Sequence, residues 1–207
     1  MFNLIFCKQL ISHLIKNKKI LFFEKEKMLH EKLYCPALDF PLFNEKLNCK
    51  KKCHRYNNLS PEKLRERNNL ISKILGKVGK IFLIEQPFMC DYGYNIEIGE
   101  NFCSNHNLII LDPAKVIFGN NVLVGPNCGF YTAIHPINPE NRSKGLEQAK
   151  PIKVGNNVWI GGGVSVLAGV TIGDNSIIGA GSVVNDNIPP NTLAVGNPCK
   201  VVKYIYD

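Results

Sequence analysis

Branched aliphatic residues recur every six positions in the C-terminal part of the chain, at Val154, Ile160, Val166, Ile172, Ile178 and Val184. A period of six matches neither the helical repeat nor the two-residue alternation of an amphipathic strand. It matches a triangular coil, in which each hexad supplies one short flat face and one corner and three hexads close a turn. The first position of each hexad then faces the axis, where branched aliphatics fill the space at native density. Gly155, Gly161, Gly173 and Gly179 follow these positions. Gly, Asn and Asp suit corners, which need positive φ or local side-chain capping. Stacked coils satisfy one another's backbone groups by parallel pairing. Earlier hexads start at Ile98, Ser104 and Ile110, and after a shift of two residues the pattern resumes at Phe118, Val124 and Phe130. The expected class is mainly β, a parallel β-helix over 81–200, with a polar insertion at 136–150 that breaks the register.

The flanks read differently. Residues 24–80 carry helical signals and are expected to form a small α-helical cap. Ser60 as N-cap with Pro61 at the first position marks a helix start. Leu64, Leu70, Ile71, Ile74 and Leu75 follow at helical spacing, and Gly76 and Gly79 end the run. Residues 1–23 form a basic, apolar extension that fits three readings: a weak signal peptide, a short amphipathic helix, or an addition ahead of a start at Met28. Residues 201–207 are read as a tail.

Composition narrows the function. The net charge is +8, and six lysines against two glutamates before residue 28 contribute +4 of it, so no basic face points to nucleic acid. No run reaches the ~18 apolar residues of a membrane helix. Eight cysteines are scattered without framework spacing, which fits reduced thiols in a cytoplasmic protein. Cys49, Cys53 and His54 form half of a zinc-like spacing whose other half is missing, so no metal is expected. Only His106 and His135 lie in the repeats, too few for a three-histidine zinc enzyme on the same helix.

Four motifs are more specific than the hexads. They are Cys90-Asp91-Tyr92-Gly93-Tyr94-Asn95-Ile96, Tyr131-Thr132-Ala133-Ile134-His135-Pro136, Pro151 through Gly162 with Trp159-Ile160-Gly161-Gly162 at its end, and Gly196-Asn197-Pro198. From about Lys25 to Val202 the chain resembles the maltose and galactoside O-acetyltransferases of the hexapeptide-repeat superfamily, with the maltose branch nearer. The resemblance implies a left-handed β-helix, an exception to the right-handed crossover rule. It also implies a homotrimer with active sites between subunits, acetyl-CoA as co-substrate, and transfer of its acetyl group to a sugar hydroxyl. A second reading keeps this chemistry with another acceptor, a surface-polysaccharide sugar or an antibiotic. A non-catalytic trimeric scaffold is the third.

The resemblance also assigns roles. A hydroxyl needs a base as it attacks a thioester, and an imidazole titrates near neutrality. His135 matches the family's base, and Asn105 matches a residue at the reacting centre, where an amide can donate to an oxyanion. His106 reads as packing. Asp91, Asp112 and Glu147 fall on the acceptor side, since carboxylates accept paired bonds from sugar hydroxyls. Pro113 stands where some members carry a second carboxylate, a departure that bears on sugar preference, and Asp39 is a candidate for the acidic contact of the cap. On the donor side stand Trp159, Gly162 and Ala180 along the pantetheine, with Lys200 and Lys203 towards the nucleotide phosphates. Asn185 and Asp186 replace a more usual Thr-Lys pair, which removes one phosphate contact.

Overall fold

The computed structural model describes residues 23–205. The readings of the N-terminal extension before Phe23 lie outside the described residues. The repeats build a three-sided parallel β-helix whose faces hold seven, five and four strands, the seventh strand of the first face being antiparallel. Inward residues stack in register. The first face runs Ile84, Ser104, Val124, Ile160, Ile178, Ala194. The second runs Cys90, Ile110, Phe130, Val166, Val184. The third runs Ile98, Phe118, Val154, Ile172. The six-residue period read from the sequence is thus the strand spacing of the solenoid. The two-residue shift after Ile110 falls at the corner between the second and third faces, as does the insertion after Ile134.

The axis is closely packed. Phe102, Phe118 and Phe130 stack edge to face with ring centroids 5.0 and 4.9 Å apart, and Val158, Ile160, Val164 and Val166 are fully buried beyond them. Phe130→Ala is expected to lower unfolding stability by about 3–5 kcal/mol in denaturant titration. A loss under about 1 kcal/mol would mean that the axis tolerates a void there. The corner between the third and first faces is an asparagine ladder. Asn101, Asn121, Asn157, Asn175 and Asn191 hold φ between 56° and 58°. Each side-chain amide donates to the carbonyl oxygen of the next at 2.8–2.9 Å. Asparagine tolerates this backbone region and here also satisfies its neighbour.

The cap departs from the sequence reading. It contains α1 (Phe23–Leu29), α2 (Phe40–Asn57) and α3 (Leu64–Ile71), with a 3₁₀ turn at Pro36–Leu38. Ser60 is no N-cap: its carbonyl accepts from Lys63 N in a turn, and α3 begins at Leu64 after Lys63 with no side-chain cap. The helix ends at Ile71, short of Gly76. Gly76 instead lets the chain press onto the first coil, where a Cβ would lie 2.2 Å from the Tyr94 carbonyl oxygen. The long helix α2 starts at Asp39, whose Oδ1 accepts from Leu42 N and whose Oδ2 accepts from Lys25 N. Asp39 is fully engaged as a buried N-cap, which corrects its reading as a sugar contact. The expected tail is not a tail: Lys200–Tyr204 forms the antiparallel strand that closes the first face.

Candidate active site

The sequence-derived residues fall on two corners. At the corner after the first face, Asn105, Gly125, Gly161 and Gly179 follow the paired inward residues, and His106, Pro126, Gly162 and Ala180 form the next column. Adjacent coils are joined there by Gly163 N to Pro126 O at 2.8 Å and Gly181 N to Gly162 O at 2.9 Å. The column is narrow. A Cβ on Gly161 would meet Ala180 N at 2.6 Å, and one on Gly162 would meet Pro126 Cδ at 3.2 Å. Trp159 is 55% exposed at the start of its strand, three residues before Gly162. Asn105 is exposed, and its Oδ1 accepts from His106 N at 2.7 Å, which orients the amide, while its Nδ2 makes no hydrogen bond among the described residues. His106 is exposed, and its Nδ1 lies 2.7 Å from Gln86 O.

At the corner after the second face lie Asp91, Asp112, His135, Asn185 and Asp186. Two extra residues in each of the first two coils and the insertion in the third make this corner irregular, and that irregularity gives room for side chains other than Gly and Asn. His135 follows the short strand Ala133–Ile134 and is exposed. The insertion leaves through Pro136, forms α4 (Pro139–Ser143), capped by Asn138, and returns as Gln148–Ala149 paired antiparallel with Ala133–Ile134. This pairing fixes the ends of the insertion next to His135. Glu147 is carried with it: its backbone exchanges two hydrogen bonds with Tyr34, and Tyr34 OH donates to its Oε2 at 3.0 Å. Burial, aided by the Glu147 charge, holds the Tyr34 phenol protonated, so it remains a donor.

Asp91 is mostly buried, and its Oδ2 pairs with Lys46 Nζ of α2 at 3.0 Å. Tyr34, Tyr92, Met28 and Leu42 form the apolar floor beside it. Lys46 and Tyr34 were missed from the sequence. They are cap residues with no local motif, and only the docking of the cap brings them to the site. Asp112 is the correction on this side. It is fully buried, and its two oxygens accept from the backbone N–H groups of Asp91, Tyr92 and Gly93 at 2.7–3.0 Å. It shapes the loop that presents Asp91 and has no free face for a sugar. Burial pushes its pKa up to about 6 against the pull of those amides. The folded value lies above the unfolded one, about 3.9. Its contribution to stability is therefore whole below about pH 4 and is lost as pH rises through about 6. Thermal melts across that window are expected to fall more steeply for the wild type than for Asp112→Asn. Equal slopes would contradict the shift.

Towards the C-terminal end, Lys200 Nζ pairs with Asp186 Oδ2 at 3.0 Å, both more than 60% exposed. Such a pair is worth little and is readily exchanged for a phosphate. Asn185 and Lys203 are exposed, Lys203 lying opposite Leu193.

The two corners are separated by the second face. In the coil of Gly162 that face runs from Gly163 to Leu167, about 13 Å at the rise of an extended strand. One chain therefore carries His135, Asp91 and Asp112 on one edge and the Gly162–Ala180 column with Asn105 on another.

Comparison with known proteins agrees with this architecture. Residues 27–79 match the maltose acetyltransferase hexapeptide capping motif, and residues 151–186 match six repeats of the bacterial transferase hexapeptide. A putative acetyltransferase of Saccharomyces cerevisiae is 52% identical over 180 residues, 87% of this chain and 92% of that one. The crystal structure of a maltose O-acetyltransferase from Clostridium difficile 630 superposes with a TM-score of 0.87 at 49% identity, covering 89% of this chain and 98% of that one. A galactoside acetyltransferase in complex with coenzyme A gives 0.86 at 41% identity, covering 89% and 92%. With the cap, the repeats and these similarities together, the chain belongs to the maltose and galactoside O-acetyltransferase family of hexapeptide-repeat acetyltransferases.

Proposed function

We propose that this acetyltransferase moves the acetyl group of acetyl-CoA to a sugar hydroxyl in a ternary complex, with His135 as general base. The observation that carries the reading is the placement of exposed His135, buried Asp91 and half-buried Glu147 at one corner, with the insertion anchored beside them. His135 takes the proton of the attacking hydroxyl as its oxygen bonds to the thioester carbonyl carbon. Asn105, through its Nδ2, donates to the oxyanion that forms. Collapse breaks the C–S bond, and the imidazolium returns its proton to the departing thiolate. Asp91 and Glu147 accept from acceptor hydroxyls, with Lys46 and Tyr34 holding their orientation.

The pantetheine of acetyl-CoA runs along the Gly162–Ala180 column past Trp159, where small residues leave backbone groups open to its amides. Lys200 and Lys203 meet the phosphates, with Lys200 leaving Asp186. Because the two corners of one chain are a face apart, the site is completed by a second copy, in a homotrimer whose clefts pair one corner with the other. Free thiols among the described residues fit a reducing compartment, and the cytoplasm supplies acetyl-CoA. Among the described residues no helix is long and apolar enough to cross a membrane.

Thiol release from acetyl-CoA, assayed with glucose, maltose, isopropyl thiogalactoside, chloramphenicol and serine as acceptors, tests the reading. Release is expected with one or more of the sugars and not with serine. Release with chloramphenicol alone would favour an antibiotic acceptor, and release with none would contradict the proposed substrate class.

A further inference from the structure

Cys49 and Cys53 lie four residues apart on the buried face of α2, one turn from each other. That face packs on the strand Phe88–Cys90, and Cys90 ends the strand. Three thiols thus converge from two elements. Cys49 Sγ is 3.4 Å and Cys53 Sγ 3.7 Å from Cys90 Sγ, and all three sulfurs lie within 4.8 Å of one another. None of the three residues is more than 5% exposed. Sulfurs sharing one tetrahedral ion at about 2.3 Å stand about 3.8 Å apart. The two distances to Cys90 Sγ are within a few tenths of an ångström of that spacing. Thiolates are the ligands that soft ions select.

We propose that Cys49, Cys53 and Cys90 form a structural site for one thiophilic metal ion, of the Zn(II) or Cu(I) class, which clamps the cap onto the first coil. The half-site visible in the sequence is completed by Cys90, 37 residues beyond Cys53, and not by His54, which is exposed. Among the described residues no fourth Cys, His, Asp or Glu joins the group. Three thiolates suit Cu(I) as they stand. For Zn(II) the Cys90 carbonyl oxygen, 3.9 Å from Cys49 Sγ, is a further donor. Binding exchanges up to three S–H protons for the ion and needs no oxidant or reductant. The clamp would act on the acceptor corner directly, because Cys90 precedes Asp91, and Lys46, which pairs with Asp91, precedes Cys49 by one turn. The inference does not rest on the proposed substrate.

The test uses the purified, reduced full chain, titrated without oxygen with Zn(II), with Cu(I), and with Cd(II) as a spectroscopic stand-in. Retained metal is measured after gel filtration against a weak chelator, alongside sulfur-to-metal charge-transfer absorption and thermal melting. The expected result is one equivalent of Zn(II) or of Cu(I) per chain with a raised melting temperature. Binding should be at least about 100-fold weaker in Cys53→Ala and unchanged in Cys103→Ala. Folded wild type that retains no ion, equal retention by Cys53→Ala, or loss in Cys103→Ala would overturn the proposal. So would a disulfide among the three residues in protein isolated under the same conditions.

Discussion

His135→Ala is expected to lower kcat by about 10²–10⁴, or roughly 3–5 kcal/mol of transition-state stabilisation, while leaving the fold intact. The side chain is exposed, and its ring makes no hydrogen bond among the described residues, so truncation removes no packing and leaves no buried partner unsatisfied. Surface changes of that kind shift stability by less than about 0.5 kcal/mol. The loss should appear in kcat with the KM for acetyl-CoA little changed, because in this account the base acts on the attacking hydroxyl while the pantetheine and phosphates are held by other residues. Steady-state thiol release with a melting curve for each protein checks both halves. A variant that retains kcat within about threefold would remove His135 from the chemistry and leave it as the residue where the insertion departs.

The second large effect concerns the donor side. Ala180→Trp is expected to raise the KM for acetyl-CoA tenfold or more, about 1.4 kcal/mol or above, with the KM for the acceptor nearly unchanged. Ala180 is exposed and sits directly over Gly161 and Gly162, so an indole there covers the row of small residues without entering the core. The melting temperature should hold. Kinetics with each substrate varied in turn separate the outcomes. An unchanged KM for acetyl-CoA would mean that the pantetheine takes another path, and a raised KM for both substrates would point to a general distortion of the corner.

The solenoid was legible because its code is periodic. Val154, Ile160, Val166, Ile172, Ile178 and Val184 repeat one environment, and a wrong residue at any of them would leave a void or a clash on the axis. The corner residues were legible for a related reason: Asn157 and Asn175 hold a backbone that most side chains avoid. The cap was less legible. Asp39 and Pro41 were the start signal of α2, yet an aspartate near a candidate sugar site reads equally as a ligand until its two oxygens are seen on Leu42 N and Lys25 N. Ser60-Pro61 carried the better local signal and lost to a turn, since Arg67, buried below it, draws the Pro61 and Ile84 carbonyls to its guanidinium. Tertiary demand overrode local preference there.

The same division runs through the site. His135 was marked by its motif, and Glu147 by its place in the insertion. Asp112 was marked as well, but a carboxylate that holds three backbone amides and one that holds a sugar look alike in sequence. Lys46, Tyr34 and the third sulfur of the cysteine cluster could not be read at all. Each depends on how α2 and the segment before it dock, and the pairs involved are separated by 45, 113 and 37–41 residues.

The central claim is that His135 of one chain serves the donor column of another. Mixing His135→Ala with Ala180→Trp, each reduced to about a tenth of wild-type activity or less at low acetyl-CoA, and letting the chains reassemble at equal amounts tests it most directly. In a randomly mixed trimer whose sites each draw on two neighbours, one site in four pairs an intact His135 with an intact column. About a quarter of wild-type activity should therefore return. No recovery on verified mixing would contradict the account, because it would place His135 and the column that feeds it in the same chain.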